Sequence, residues 1–393
     1  MKVADFVERY AVNRKNTDSI KWDAMESGFG SNDLVPMWIA DAEFKVPEAV
    51  TNALKKRIEH GVYGYSLTPS SYYDAYCKWQ EERYGTELSQ EWIRFGSGVV
   101  QSISTLVNVL TLPEDAVMVL EPVYHPFMHV IEENDRRLVV SNLINDGKQY
   151  KMDFDDIREK IQTNQVKLLL NCSPHNPVGR VWSNEELEQL LEICREEKVL
   201  VISDEIHHDL VIGNNKFVSA ISVNDGLYRD NVVMLDAASK TFNLAALQCS
   251  HVVIANPQIR ARYDRFVNKL HLPAGNLLAQ VAAQAAYQEG GDWLDGLLGL
   301  IKYNFNYLKN EFAIKAPDIE VTDLEGTYLA WVDMRKVVEP SKLRNFMEKK
   351  VKVAVNYGEI FGEAGLGFIR LNLATTPENV ERTVVALLEA LEN

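Results

Sequence analysis

Cysteine is scarce and scattered: Cys77, Cys172, Cys194 and Cys249 form no CxxC pair and no zinc-ligand spacing. They read as reduced, mostly buried small side chains, which points to the cytoplasm. No apolar run approaches the roughly 20 residues that a membrane span needs. The opening MKVADFVERY carries no signal-peptide hydrophobic region. Basic residues are outnumbered, 41 Lys and Arg against 56 Asp and Glu, and no basic block offsets the deficit of 15. Phosphate backbones demand clustered Lys and Arg, so the balance argues against nucleic acid as a partner. Repeats, low-complexity tracts and long linkers are missing too. The GFG at 28–30 lacks a third glycine and follows no strand, which sets aside a dinucleotide fingerprint.

What is present is a chain of 393 residues, 46% apolar and 25% charged, with room for two cores. From about residue 93, short apolar runs alternate with amphipathic helices. VKLLLNC (166–172), VLVIS (199–203), NVVML (231–235) and HVVIA (251–255) are apolar at nearly every position. That pattern marks strands covered on both faces, and strand–helix alternation predicts a mostly parallel sheet. Ser183 and Glu186 fit a capping box opening a helix. The last hundred residues read as a smaller α+β unit, with a long helix at 292–312, the strand GFIRLNLA and a final helix from Glu378. The expected division is an N-terminal arm (1–45), a large domain (46–290) and a small domain (291–393).

Ligands of such sheets sit beyond the carboxyl ends of the strands, so the residues following each run carry the chemistry. GSGVVQS after IRF offers the backbone N–H groups of Gly98, Val99 and Val100 at a helix start, which suits a phosphate or simply makes a tight turn. Tyr124, after VMVL, is a candidate to stack on a flat ring or to line the core. Asn176 stands between Pro174 and Pro177, as a turn former or as a donor to an anionic oxygen. Asp204, just past VLVIS, needs a cationic partner or a proton. A metal site of Glu205, His207, His208 and Asp209 is the rival reading there. Lys240 follows VVML, and a lysine at the end of a buried strand is costly unless paired or neutralised. Arg370, inside GFIRLNLA, suits bidentate capture of a carboxylate or a structural ion pair.

Together these groups describe a site for pyridoxal 5'-phosphate: a phosphate cradle, a stacking tyrosine, partners for ring oxygen and nitrogen, and a Schiff-base lysine. SPHNPVG, SDEIHHDL, AASKTFNL and GFIRLNLA, in that order, resemble the signature segments of fold-type I pyridoxal phosphate enzymes, the class I/II aminotransferase superfamily. PMWIADAEF, HGVYGYS, DEIHHD and SKTFNLAALQ are most similar to its MalY/PatB group of cystathionine β-lyases, or C–S lyases. The resemblance implies Lys240 as the catalytic residue. It implies cofactor contacts from Gly98, Val99, Val100, Tyr124, Asn176, Asp204, His207 and Ser239, and substrate contacts from Arg370, Asn176, Trp38 and Ala40. It also implies a homodimer in which Tyr65, or its neighbour Tyr63, reaches the partner's cofactor phosphate.

Two positions depart from the broader aminotransferase pattern. Gln248 stands where an arginine often grips phosphate, and Ala237 where a serine is common. The activity implied is α,β-elimination of cystathionine or a related S-substituted cysteine to a thiol, pyruvate and ammonia. Transamination of an amino acid is the alternative within the superfamily. A regulatory binding protein that keeps the fold is the alternative of another class.

Overall fold

The structure, a computed structural model, describes residues 1–272 and 275–392. Seven strands form the main sheet in the spatial order Ile93–Gly96, Ser250–Ile254, Val232–Asp236, Leu200–Asp204, Val166–Cys172, Ala116–Glu121, Arg137–Asn142. Six run in one direction; Ser250–Ile254 is antiparallel to both its neighbours. The expected mostly parallel sheet is therefore present, with HVVIA as its one reversed strand. Apolar runs encode burial, and direction is set by the connections.

Side chains alternate between the faces of a strand, and both faces here are buried. Val117, Val119, Leu168, Leu170, Val233 and Leu235 pack with Ile103, Leu106 and Phe127. The intervening Met118, Leu120, Leu169 and Val232 pack with Ile157, Leu187 and Leu191 on the other side. The helix Asn184–Glu196 opens with the expected capping box of Ser183 and Glu186.

A second, four-stranded antiparallel sheet orders Glu320–Val321, Leu329–Asp333, Phe368–Asn372 and Asn356–Tyr357. The helices Gly291–Lys315 and Pro377–Glu392 pack together beside it. The segment 340–351 begins as the α-helix Pro340–Asn345 and continues as a π-wound turn, Phe346–Val351. The N-terminal residues pack mostly against this second sheet and its helices. Val35–Pro36 pairs in parallel with Val353–Ala354, and Phe6 packs on Trp293 and Phe44. Gly296 makes room for that contact, since a Cβ there would stand 2.5 Å from the Phe6 ring. Among the described residues no helix is long and apolar enough to cross a membrane.

Candidate active site

A cavity of about 410 Å³ opens where the six co-directional strands end. Gly98, Val99, Val100, Tyr124, Asn176, Asp204, His207, Ser239, Lys240, Gln248 and Ala40 all line it. The sheet explains the convergence: the ends of parallel strands share one edge, so residues far apart in the chain face one space. Gly96 lets the first of these strands approach its neighbours, because a Cβ there would lie 2.2 Å from Ser102 Oγ and 2.8 Å from Ser250 Oγ.

Three groups lack the partners that burial demands: two line the cavity, and the third, Arg370 of the second sheet, is bonded to the lining Asn176. The Asp204 carboxylate is buried and accepts one backbone N–H, from Ile206 at 3.0 Å. Burial pushes its pKa up to about 7, against the pull of that N–H and of Lys240. His207 is buried with no hydrogen-bond partner on Nδ1, and burial keeps it neutral. Arg370 is buried, yet its acceptors are all neutral: Asn176 Oδ1 at 2.9 Å, Asn356 Oδ1 at 2.6 Å and the Trp38 carbonyl at 3.3 Å. Its Nε has no partner, and burial lowers its pKa to about 10.

Lys240 lies in the short helix Ala238–Thr241, and its Nζ donates to the Ala40 carbonyl at 2.7 Å. Burial, with the nearby charge of Arg370, brings its pKa down to about 8, opposed by Asp41 and Asp204. The strand end thus holds the lysine inside, as a group that loses its proton close to neutrality. Its acceptor belongs to a strap, 38–44, that side chains hold along its length. Asn372 Nδ2 binds the carbonyls of Ile39 and Asp41, and Tyr328 OH shares that of Ala40. Asn243 binds Ala42 and Phe44.

The site residues expected from sequence divide accordingly. Trp38 reaches Arg370 through its backbone, while its indole N–H donates to the Lys21 carbonyl. Tyr65 is fully exposed and Tyr63 donates to the Ile58 carbonyl, so neither belongs to the cavity within one chain. The rival metal cluster is not assembled. Glu205 accepts from Ser203, Ser219 and Ala220, and Asp209 from Trp79, Tyr84 and Thr241. His208 Nδ1 donates to the Glu205 carbonyl at 2.6 Å. Sequence reasoning missed Ser97, Gln101, Cys172, Ile206, Ala245 and Cys249 in the lining. Ser97 and Ile206 follow strands and were open to the same reading. Asn356 and Tyr328 gave no signal, because they come from the other sheet.

These residues fit pyridoxal phosphate. The first-turn amides of the helix Val99–Leu110, with Ser239 and Gln248, would hold its phosphate. Tyr124 would face the ring, Asp204 the ring nitrogen, and Asn176 and His207 the ring oxygen.

The fold and this edge define a class, and the comparisons agree with it. The family profile "Aminotransferase class I and II" matches residues 29–387, and the chain belongs to that family. Within it, the chain is 38% identical to cystathionine beta-lyase PatB of Bacillus subtilis, over 95% of this chain and 98% of that one. It is 31% identical to protein MalY of Escherichia coli, over 97% of each chain. Cystalysin from Treponema denticola, solved with pyridoxal 5'-phosphate, superposes with a TM-score of 0.92 at 34% identity, covering 97% of each chain. The PLP-bound C–S lyase from Staphylococcus hominis gives 0.91 at 32% identity, again over 97% of each.

Proposed function

We propose that this protein is a pyridoxal-phosphate-dependent C–S β-lyase. It would cleave cystathionine or a related S-substituted cysteine to a thiol, pyruvate and ammonia. One observation carries the reading: a buried carboxylate without a cation lines the cavity with Lys240, and a buried guanidinium without an anion stands just behind its wall, bonded to the lining Asn176. Similarity to the lyases above supports it along the whole chain.

When bound, pyridoxal phosphate supplies an aldehyde for the amino group and a ring that accepts the electron pair left at Cα. The protein's share is to place charges and protons. Arg370 binds the α-carboxylate and fixes which Cα substituent faces Lys240. The Lys240 amine, with a pKa near 8, takes the α-proton as general base. Asp204, as a carboxylate, holds a proton on the ring nitrogen. The Cβ–S bond then breaks with its electron pair leaving on sulfur as thiolate. The remaining three-carbon fragment hydrolyses to pyruvate and ammonia.

The dimer, the compartment and the domain division belong to this proposal. Val62, Tyr63, Tyr65 and Leu67 form an exposed apolar stretch that suits burial against a second copy, bringing Tyr65 to the partner's phosphate site. Four free cysteines suit the reducing cytoplasm. The helix starting at Gly291 suits a boundary at 290–291. Incubating the purified protein with cystathionine tests the activity. Pyruvate released without added keto acid supports the lyase; amino transfer dependent on a keto acid, without pyruvate, establishes the aminotransferase instead.

A further inference from the structure

The arginines of this protein that are half-buried or deeper are mostly held by acids. Arg14 pairs with Asp41, Arg94 with Asp264, and Arg180 with Glu186 and Glu325. Arg370, like the buried Arg136, is held by neutral acceptors alone, and of these two it is the one bonded to the cavity-lining Asn176. Asn356 stands directly opposite it in the antiparallel pairing of Asn356–Tyr357 with Phe368–Asn372. Residues so paired share a face of the sheet, and the Asn356 carboxamide oxygen takes an N–H of Nη2 at 2.6 Å. Asn176 takes one from Nη1, the Trp38 carbonyl takes the second of Nη2, and Phe361 covers the guanidinium at 4.7 Å. Each of these contacts aims the group, and none neutralises it.

We propose that Asn356 is a positioning residue for substrate recognition. It orients the Arg370 fork with a neutral acceptor, leaving the full charge for the carboxylate of an amino acid. The inference rests on the reading of Arg370 as the carboxylate anchor. An acid at this position would fit the same space and consume that charge. The Trp38 carbonyl, at 3.3 Å the longest of the three contacts, is the one that an incoming carboxylate displaces from Nη2.

The test compares Asn356→Asp, Asn356→Ala and Arg370→Lys holoenzymes, each first checked for cofactor absorbance and melting temperature. L-Alanine, which has no β-leaving group, is titrated by the change in cofactor absorbance. KM and kcat are measured for S-methyl-L-cysteine and for its decarboxylated amine. Asn356→Asp should weaken L-alanine about 10- to 100-fold, the scale of a charge-assisted contact. The loss should shrink as pH falls and the introduced carboxyl takes up a proton, and handling of the amine should be unchanged. Asn356→Ala should cost about 2- to 12-fold, the scale of one neutral hydrogen bond. If Arg370→Lys weakens L-alanine while Asn356→Asp leaves it within about twofold, the role of Asn356 is refuted and the anchor stands. If neither variant changes L-alanine binding, the anchor reading itself fails. Equal losses for the amino acid and the amine would mean that Asn356 only supports the fold, and would overturn the proposal.

Discussion

The sequence DEIHHD, 204–209, divides between two neighbouring polar clusters. Asp204 and His207 face the cavity with unmet hydrogen-bonding capacity. Glu205, His208 and Asp209 face the interior, beside Asp236 and His251. There the acids are well supplied. Asp236 accepts from His251 at 2.5 Å and from Tyr76 and Gln80, both at 2.8 Å. For Asp236 and Asp204 the consequences differ in sign, while Glu205, whose donors are neutral, is raised to about 7 like Asp204. Burial alone would raise Asp236, but the pull of His251, His208 and Tyr76 outweighs it and holds the pKa below the ordinary carboxylate value. Asp204, without such partners, rises to about 7. A buried polar group satisfied by its own chain is structure; one left wanting is a place for a ligand.

The strongest way to break this comparison is at the cavity. Lys240→Ala should reduce pyruvate formation by about 10⁴-fold or more, since it removes both the attachment point and the general base. Borohydride reduction and peptide mapping should place the cofactor of the unsubstituted protein on Lys240. Label on a different lysine contradicts the assignment.

Paired variants come next. Asp204→Asn should keep the cofactor and lose about 10²- to 10⁴-fold in turnover, with folding stability held or raised. Asp236→Ala should do the opposite in kind. It breaks a buried pair and costs about 3–5 kcal/mol of stability, measured by denaturant unfolding. If both variants lose activity and stability alike, the two clusters are one.

The pH response sharpens the contrast. Where a folded carboxyl holds its proton more tightly than the unfolded one, stability falls as pH rises between the two pKa values. Asp204 makes the cofactor-free protein less stable from about pH 4 to about pH 7, and Glu205, also raised to about 7 by burial, adds to the decline. Asp236 works the other way, adding stability that is lost as pH falls through its lowered pKa. Thermal melts of Asp204→Asn against pH should show a shallower decline over that window; an unchanged slope would falsify the assignment to Asp204. The smallest effect is expected for Tyr72→Phe, which removes the hydroxyl paired with His251 Nε2 at 2.6 Å. It should cost about 1 kcal/mol and leave kcat/KM as it was.

Much of this was legible before any coordinates. Burial on both faces announced the strands, and the residues after them announced Tyr124, Asn176, Asp204 and Lys240. The reversed direction of Ser250–Ile254 was not legible, because a run such as HVVIA looks the same from either end. It explains why Gln248 and Cys249, which precede that strand, line the cavity while the residues after it do not. The division of DEIHHD was half legible: Asp204 follows from its place after the strand, whereas His207 came only from the family resemblance, because the turn that directs it toward the cavity and His208 away has no simple periodicity. Partners brought from afar, such as Ala40 to Lys240 or Asn356 to Arg370, left no local mark.

The strap at 38–44 also bears on how the protein folds. Arg14 and Lys21, just before it in the chain, hold Ala42 and Asp41, but the side chains that fix its Ala40 end, Lys240, Tyr328 and Asn372, come from 200 or more residues away. The near contacts need only local chain, whereas the far ones wait until both sheets have come together. The place of the Ala40 carbonyl beside Lys240 is therefore a tertiary feature, set by Tyr328 and Asn372 from the far end of long loops in the chain.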